Sequence, residues 1–126
     1  MEGDTHEPLN PSGNYKEQDV AIIMKQVLSC LCYLHQMNFI HRDLKPEAFV
    51  QEKGKELDKI KLIDLATAVK ADPDQMLTEK LSKNRSSACA APELINRNYN
   101  AKCDIWAAAV MGYTLLSGKK PFTGKR

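Results

Sequence analysis

Apolar residues fall at Val20, Ile23, Met24, Val27, Leu28, Leu31 and Leu34. This is the i, i+3, i+4, i+7 spacing that turns one stripe of a helix toward a core. The pattern predicts a helix over residues 14–37, with Asn14 and Glu17 spaced as a capping box at its start. Before it, Gly3, Pro8, Pro11 and Gly13 interrupt any periodicity, so residues 1–13 read as an irregular lead-in. After it come three short apolar pieces, Phe39–Ile40, Phe49–Val50 and Ile60–Ile63. The last two flank the charged, glycine-containing stretch QEKGKELDK and predict a small hairpin. Residues 66–91 are polar and proline-interrupted, a long loop of the kind that is usually functional. The run DIWAAAVMGYTLL predicts a second helix over residues 101–118, apolar on nearly every face and therefore buried. Gly118 is placed to cap it and Pro121 to prevent its continuation.

Composition narrows the class without naming a function. The chain has 126 residues, with 43% hydrophobic and 27% charged, as expected of one globular domain or part of one. A formal net charge of +2, with acids and bases interspersed and no aromatic-lined basic stripe, argues against nucleic acid as a partner. No apolar run reaches the roughly 18 residues of a membrane span. The polar start MEGDTHEPLNPSG does not read as a secretory signal. Cys30, Cys32, Cys89 and Cys103 form no C-x-x-C pair, and the histidines are not spaced to complete a zinc site. These cysteines read as reduced structural thiols of a cytoplasmic protein. His6 and His35 read as surface or helix-end residues.

The densest chemistry lies in HRDLKPE, residues 41–47, which packs an acid, two cations and a rigid proline behind the first helix. Asp43 beside a cation can stay ionised and orient or accept a hydroxyl proton. Lys45, two residues on, can neutralise charge on a transferring phosphoryl oxygen. By charge pattern alone, the same residues also describe a surface turn with ion pairs.

The exact word resembles the H-R-D-L-x-x-x-N catalytic loop of eukaryotic protein kinases. In order after it stand Asp64-Leu65-Ala66, in place of D-F-G, and Ala91-Pro92-Glu93, matching A-P-E. The stretch from Asp104-Ile105-Trp106 to SGKKPF is similar to the central helix of the C-terminal lobe. NYNAKCDIWAAAVMGYTLLSGKKPF, together with YKEQDVAIIMKQVLSCLCYLH, most resembles the calcium/calmodulin-dependent group, and calcium-dependent protein kinases in particular. The resemblance runs over nearly the whole chain. It implies a partial C-terminal lobe, mainly α with a small β-hairpin, within an α+β kinase fold, with the catalytic-loop region at 39–51 and the activation segment at 64–93.

That resemblance assigns roles. Asp43 is implied as catalytic base, and Lys45, Glu47 and Asp64 as nucleotide-binding residues. Asp64 is also implied as a ligand of Mg²⁺, with ATP as the phosphoryl donor of the complete kinase. Arg42 is implied to engage a phosphorylated or acidic group of the activation segment. Thr67, Thr78, Ser82, Ser86 and Ser87 offer hydroxyls there, for phosphorylation or simply for solvation, and Ser86 falls where a substrate-positioning Thr is expected. Asp104 is implied to brace the catalytic loop from the central helix, where Trp106 is also structural. Glu93 is implied to pair with a later Arg.

The sequence departs from the pattern at Ala48, where the family places the Asn that holds a second Mg²⁺, and at Ala66, which replaces the D-F-G glycine. No G-x-G-x-x-G loop and no V-A-I-K strand are present, so the expectation is a partial kinase domain without the N-terminal lobe. ADPDQM lacks the glycine and the final glutamate of a calcium loop. Two readings remain open. One is a segment of an active Ser/Thr phosphotransferase; the other is an impaired pseudokinase or lone lobe serving as scaffold or regulator. The partner is then a protein substrate or regulatory protein, the missing lobe segments, or a second copy through exposed apolar surface. By itself the chain is expected to be inactive and to hold no nucleotide tightly.

Overall fold

Glu17–Gln36 form helix α1, with Val20, Ile23, Val27, Leu31 and Leu34 buried along one stripe. The computed structural model describes residues 6–81 and 88–123. In chain order the elements are β1 (His6–Pro8), α1, β2 (Phe39–Ile40), a 3₁₀ turn (Pro46–Ala48), β3 (Phe49–Glu52), β4 (Ile60–Leu62), β5 (Val69–Lys70), α2 (Pro92–Ile95) and α3 (Lys102–Ser117).

The start of α1 differs from the expected capping box. Lys16 is the N-cap residue, and its backbone N–H donates to Asp19 Oδ2 at 2.9 Å. Asn14 instead takes a left-handed turn at φ 54, a conformation that asparagine tolerates better than most residues. Leu28 lies outside the buried stripe and is exposed.

The expected hairpin is present as β3 and β4, paired antiparallel with Phe49 opposite Leu62 and Gln51 opposite Ile60. The sheet content exceeds the expectation of a mainly α chain. The supposed lead-in contributes β1, which extends the hairpin to a three-stranded sheet in the order β1-β3-β4. Pro8 is admissible there because β1 is an edge strand and one of its sides needs no donor. A second sheet pairs β2 with β5, Phe39 opposite Lys70 and Ile40 opposite Val69. Strands of two residues are too short for alternation to be visible in a sequence.

Helix α3 packs across α1 over a core that includes Ile23, Val27, Leu31, Leu44, Phe49, Met111 and Leu115. Each such side chain is worth roughly 1.5–3 kcal/mol when fully buried. A second core gathers Ile40, Leu94, Tyr99, Ala101 and Cys103 around β2 and α2, and Trp106 packs against both. Gly118 closes α3 in the left-handed conformation at φ 70, its N–H donating to Thr114 O at 2.8 Å. The expected all-round burial of α3 is only half realised. Cys103, Asp104, Ala107, Ala108 and Met111 are buried, whereas Ile105, Tyr113 and Leu116 are about half exposed. Helix α1 and the second core pack against α3, and Ile105, Tyr113 and Leu116 lie along its exposed face. No described helix is long and apolar enough to cross a membrane.

Candidate active site

The sequence HRDLKPE folds into a loop between β2 and β3, and its backbone is pinned from two directions. Ile40, fully buried, carries the chain into the core. From α3, the buried Asp104 reaches up to accept two backbone bonds, from His41 N–H through Oδ2 and from Arg42 N–H through Oδ1, both at 2.9 Å. Arg42 sits at φ 73, a left-handed conformation that costs a non-glycine residue of order 1–3 kcal/mol. The Asp104 bond to its N–H helps hold it there. His35 Nε2, on the last turn of α1, lies 2.8 Å from the same Asp104 Oδ2, so a residue read from sequence as a helix-end histidine is part of the support.

His41 ties the loop to the next segment. Its Nδ1 accepts the Asp43 N–H at 3.1 Å, and its Nε2 bonds the Asp64 carbonyl. That combination requires the neutral ring with its proton on Nε2. Thr67, counted above among the candidate hydroxyls of the activation segment, is 5% exposed and donates to His41 O at 2.8 Å. Its hydroxyl therefore serves the fold.

Asp43 is 6% exposed. Its Oδ2 lies 3.3 Å from Lys45 Nζ, whose side chain is 37% exposed. The pair combines a held carboxylate with a cation that can still reach solvent. Lys45 leads into the 3₁₀ turn at Pro46–Ala48, closed by Ala48 N–H donating to Lys45 O at 3.0 Å. Glu47, within the turn, is exposed. Asp64 follows β4 and is half-buried; its Oδ1 accepts the Ala66 N–H at 3.1 Å. Ala48 O accepts the Ile63 N–H at 2.9 Å, which sets position 48 beside Asp64 across the strands.

Arg42 turns the other way. Its Nε donates to Thr67 O at 2.8 Å, and its Nη1 lies 3.2 Å from both Glu79 Oε2 and Tyr99 Oη. The fully buried Tyr99 donates its hydroxyl hydrogen bond to Glu79 O at 3.2 Å. Neither Glu79 nor Tyr99 was singled out from sequence. An acid inside a polar loop carries no periodic signal, and the aromatic at 99 is read only within NYNAKCDIW, with no role of its own. Thr78 is exposed. Ser82, Ser86 and Ser87 lie outside the described residues. Glu93 is half-buried, and among the described residues its carboxylate makes no ion pair. Trp106 stacks on Phe122 with ring centroids 5.7 Å apart.

Beneath Asp43, a cavity of about 10 Å³ is lined by Arg42, Leu44, Cys89, Leu94 and Cys103, room for about one water. No cysteine among the described residues is in a disulfide. Burial, reinforced by the carboxylates of Asp104 and Glu93, pushes the Cys103 thiol far above its ordinary range. It is not a nucleophile at neutral pH.

A loop that presents an acid and a lysine, braced by a buried aspartate and followed by a second presented aspartate, agrees with what comparison shows. The family model "Protein kinase domain" matches residues 1–126. The chain belongs to the protein kinase family. It is 36% identical over 114 residues to CDPK-related kinase 1 of Arabidopsis thaliana, covering 90% of this chain and 19% of that protein. It is 37% identical over 123 residues to calcium-dependent protein kinase 4 of Plasmodium berghei (strain Anka), covering 97% of this chain and 23% of that protein. Calcium/calmodulin-dependent serine/threonine-protein kinase 1 of Oryza sativa subsp. japonica is 36% identical over 114 residues, covering 90% and 18%. The chain thus spans about a fifth of the length of these curated relatives.

The family implies a nucleotide with Mg²⁺. Asp64 fits as a ligand: one oxygen is anchored by Ala66 N–H, which orients the carboxylate, and Oδ2 has no hydrogen-bond partner among the described residues. Ala48 does not fit, because a buried methyl offers no lone pair. No described group of three or more His, Cys, Asp or Glu side chains could hold a metal by itself.

Proposed function

We propose that the polypeptide carrying this chain transfers the γ-phosphoryl group of ATP to Ser or Thr hydroxyls of a protein substrate. In this reading the chain supplies the catalytic-loop half of the site, in the C-terminal lobe. The observation that carries it is the Asp43–Lys45 pair at 3.3 Å, set on a loop whose backbone a buried aspartate holds from below. A surface ion pair needs no such support.

Asp43 accepts the substrate hydroxyl proton, and its neighbourhood keeps the carboxylate aimed. Lys45 neutralises charge on the transferring group. Asp64 holds the cation that accompanies the nucleotide, and bound magnesium nucleotide supplies the transferable group. Arg42 does not face the transfer; its guanidinium orders the segment that includes Thr67 and Glu79. The remaining wall of the nucleotide site would come from chain that this sequence does not include.

The test is radiolabelled phosphoryl transfer from ATP to a protein substrate by the full polypeptide, alongside Asp43→Asn. Removing a general base costs about 10²–10⁴-fold, so the variant should lose transfer while still binding nucleotide. Undiminished transfer in Asp43→Asn would remove the proposal's chemical basis.

A further inference from the structure

We infer that the site takes one divalent cation with its nucleotide, held through Asp64, and has no second protein-held cation. The inference rests on the phosphotransfer reading above and goes beyond it by specifying the metal count. Two cations are the usual arrangement in protein kinases, one on the aspartate of the D-F-G position and one on an asparagine of the catalytic loop. The asparagine position here is Ala48. Its side chain is 1% exposed, so no water-filled niche takes the amide's place.

The backbone oxygens beside position 48 are already engaged. Ala48 O accepts the Ile63 N–H, and Lys45 O accepts the Ala48 N–H. Asp64 O is bonded by His41 Nε2, and Asp64 Oδ1 by Ala66 N–H. Asp43 Oδ2 faces Lys45 Nζ. Of these oxygens Asp64 Oδ2 is the one with no hydrogen-bond partner among the described residues, and a single carboxylate oxygen is a usual protein share for one Mg²⁺ that keeps waters and phosphate oxygens as its other ligands. A second ion would have to bind by phosphates and water alone.

The charge that a second cation supplies then falls to side chains. Of the two cations in HRDLKPE, Arg42 is engaged with Thr67 O, Glu79 and Tyr99. Lys45 is the one placed to take that share.

The experiment is Mn²⁺ stoichiometry by electron paramagnetic resonance on the full polypeptide, with a non-hydrolysable ATP analogue and excess Mn²⁺. One bound Mn²⁺ per bound nucleotide in the wild type, rising to two in Ala48→Asn, is expected. Two in the wild type would overturn the inference and leave the phosphotransfer reading standing. One in both proteins would overturn the assignment of the missing site to Ala48. Nucleotide binding by neither protein would overturn the phosphotransfer reading, and the inference with it. The wild-type count needs no variant to fold, and a melting curve of Ala48→Asn shows whether its own count applies to a folded protein.

Discussion

His35 Nε2 and Asp104 Oδ2 lie 2.8 Å apart although 69 residues separate them in the chain. The contact joins the last turn of α1 to the first turn of α3, and the HRDLKPE loop hangs from the same carboxylate. Asp104 is 1% exposed and is met by a ring nitrogen and two backbone N–H groups. A buried carboxylate persists when its lone pairs are used in this way.

Removing the acceptor should therefore cost more than removing the ring. Asp104→Ala strands the buried His41 N–H and the part-buried Arg42 N–H, at up to about 1–3 kcal/mol each, and releases the strained Arg42 backbone. We expect a loss of about 3–5 kcal/mol and of phosphoryl transfer. His35→Ala removes one bond and should cost about 1–2 kcal/mol. Denaturant midpoints of the two variants and their double mutant check this. A double mutant no worse than Asp104→Ala is the expected mark of one shared network, and strict additivity would contradict it.

Much of this site was legible because motif and helix periodicity coincide. Asp43, Lys45 and Asp64 were singled out together by their motif order, and the structure places each on the loop or strand end that presents it. Helices α1 and α3 announced themselves by apolar spacing. What was not legible depends on contacts distant in sequence. His35 looks like an ordinary polar helix terminus until α3 brings Asp104 beneath it, and β1 looks like loop until β3 lies alongside. Asn14 and Glu17 had the spacing of a capping box, but the left-handed turn at Asn14 moves the cap to Lys16 and Asp19.

The Arg42 clamp predicts an unequal pair of variants. Glu79's side chain is 65% exposed, and a pair open to solvent is worth no more than about 1 kcal/mol, so Glu79→Gln should barely change stability and the little it does should fade with salt. Tyr99 is fully buried, and its hydroxyl serves both Arg42 and the Glu79 carbonyl. Tyr99→Phe should cost about 1–2 kcal/mol. It should also speed amide exchange at Leu77, whose N–H bonds Tyr99 O at 2.7 Å, because that bridge ties the loop around Leu77 to the segment before α3. Equal exchange at Leu77 in Tyr99→Phe and Glu79→Gln would mean that the hydroxyl does not matter.

Cys103 sets a pH limit. Its thiol is pushed up first by burial and then by Asp104 and Glu93. The folded state therefore holds the proton to a pH at which the unfolded thiol, titrating near about 8.5, has released it. The stabilising contribution is fully present below that unfolded value and is lost as pH rises toward the folded one, by at most about 1.4 kcal/mol per pH unit for one proton. Urea midpoints from about pH 7 to about pH 10 should fall more steeply for the wild type than for Cys103→Ala. Parallel slopes would show that the thiol is not so perturbed.

The crossing of α1 and α3 offers a test of packing against propensity. Gly112 lies inside α3, where glycine costs about 1 kcal/mol relative to alanine. A Cβ built at 112 would lie 3.2 Å from Met24 Sδ and 3.5 Å from its Cε, tight but against the far end of a flexible side chain. Methionine can rotate away at little cost. Gly112→Ala should thus leave the protein within about 1 kcal/mol of wild type, with the propensity gain and the shift of Met24 nearly cancelling. Pairing it with Met24→Leu, which stiffens the neighbour, should turn the substitution destabilising. Gly112→Leu should destabilise by several kcal/mol, about the cost of forcing two helices apart. Melting temperatures of these variants decide the matter, and a Gly112→Ala protein as damaged as Gly112→Leu would show that α1 cannot yield at this contact.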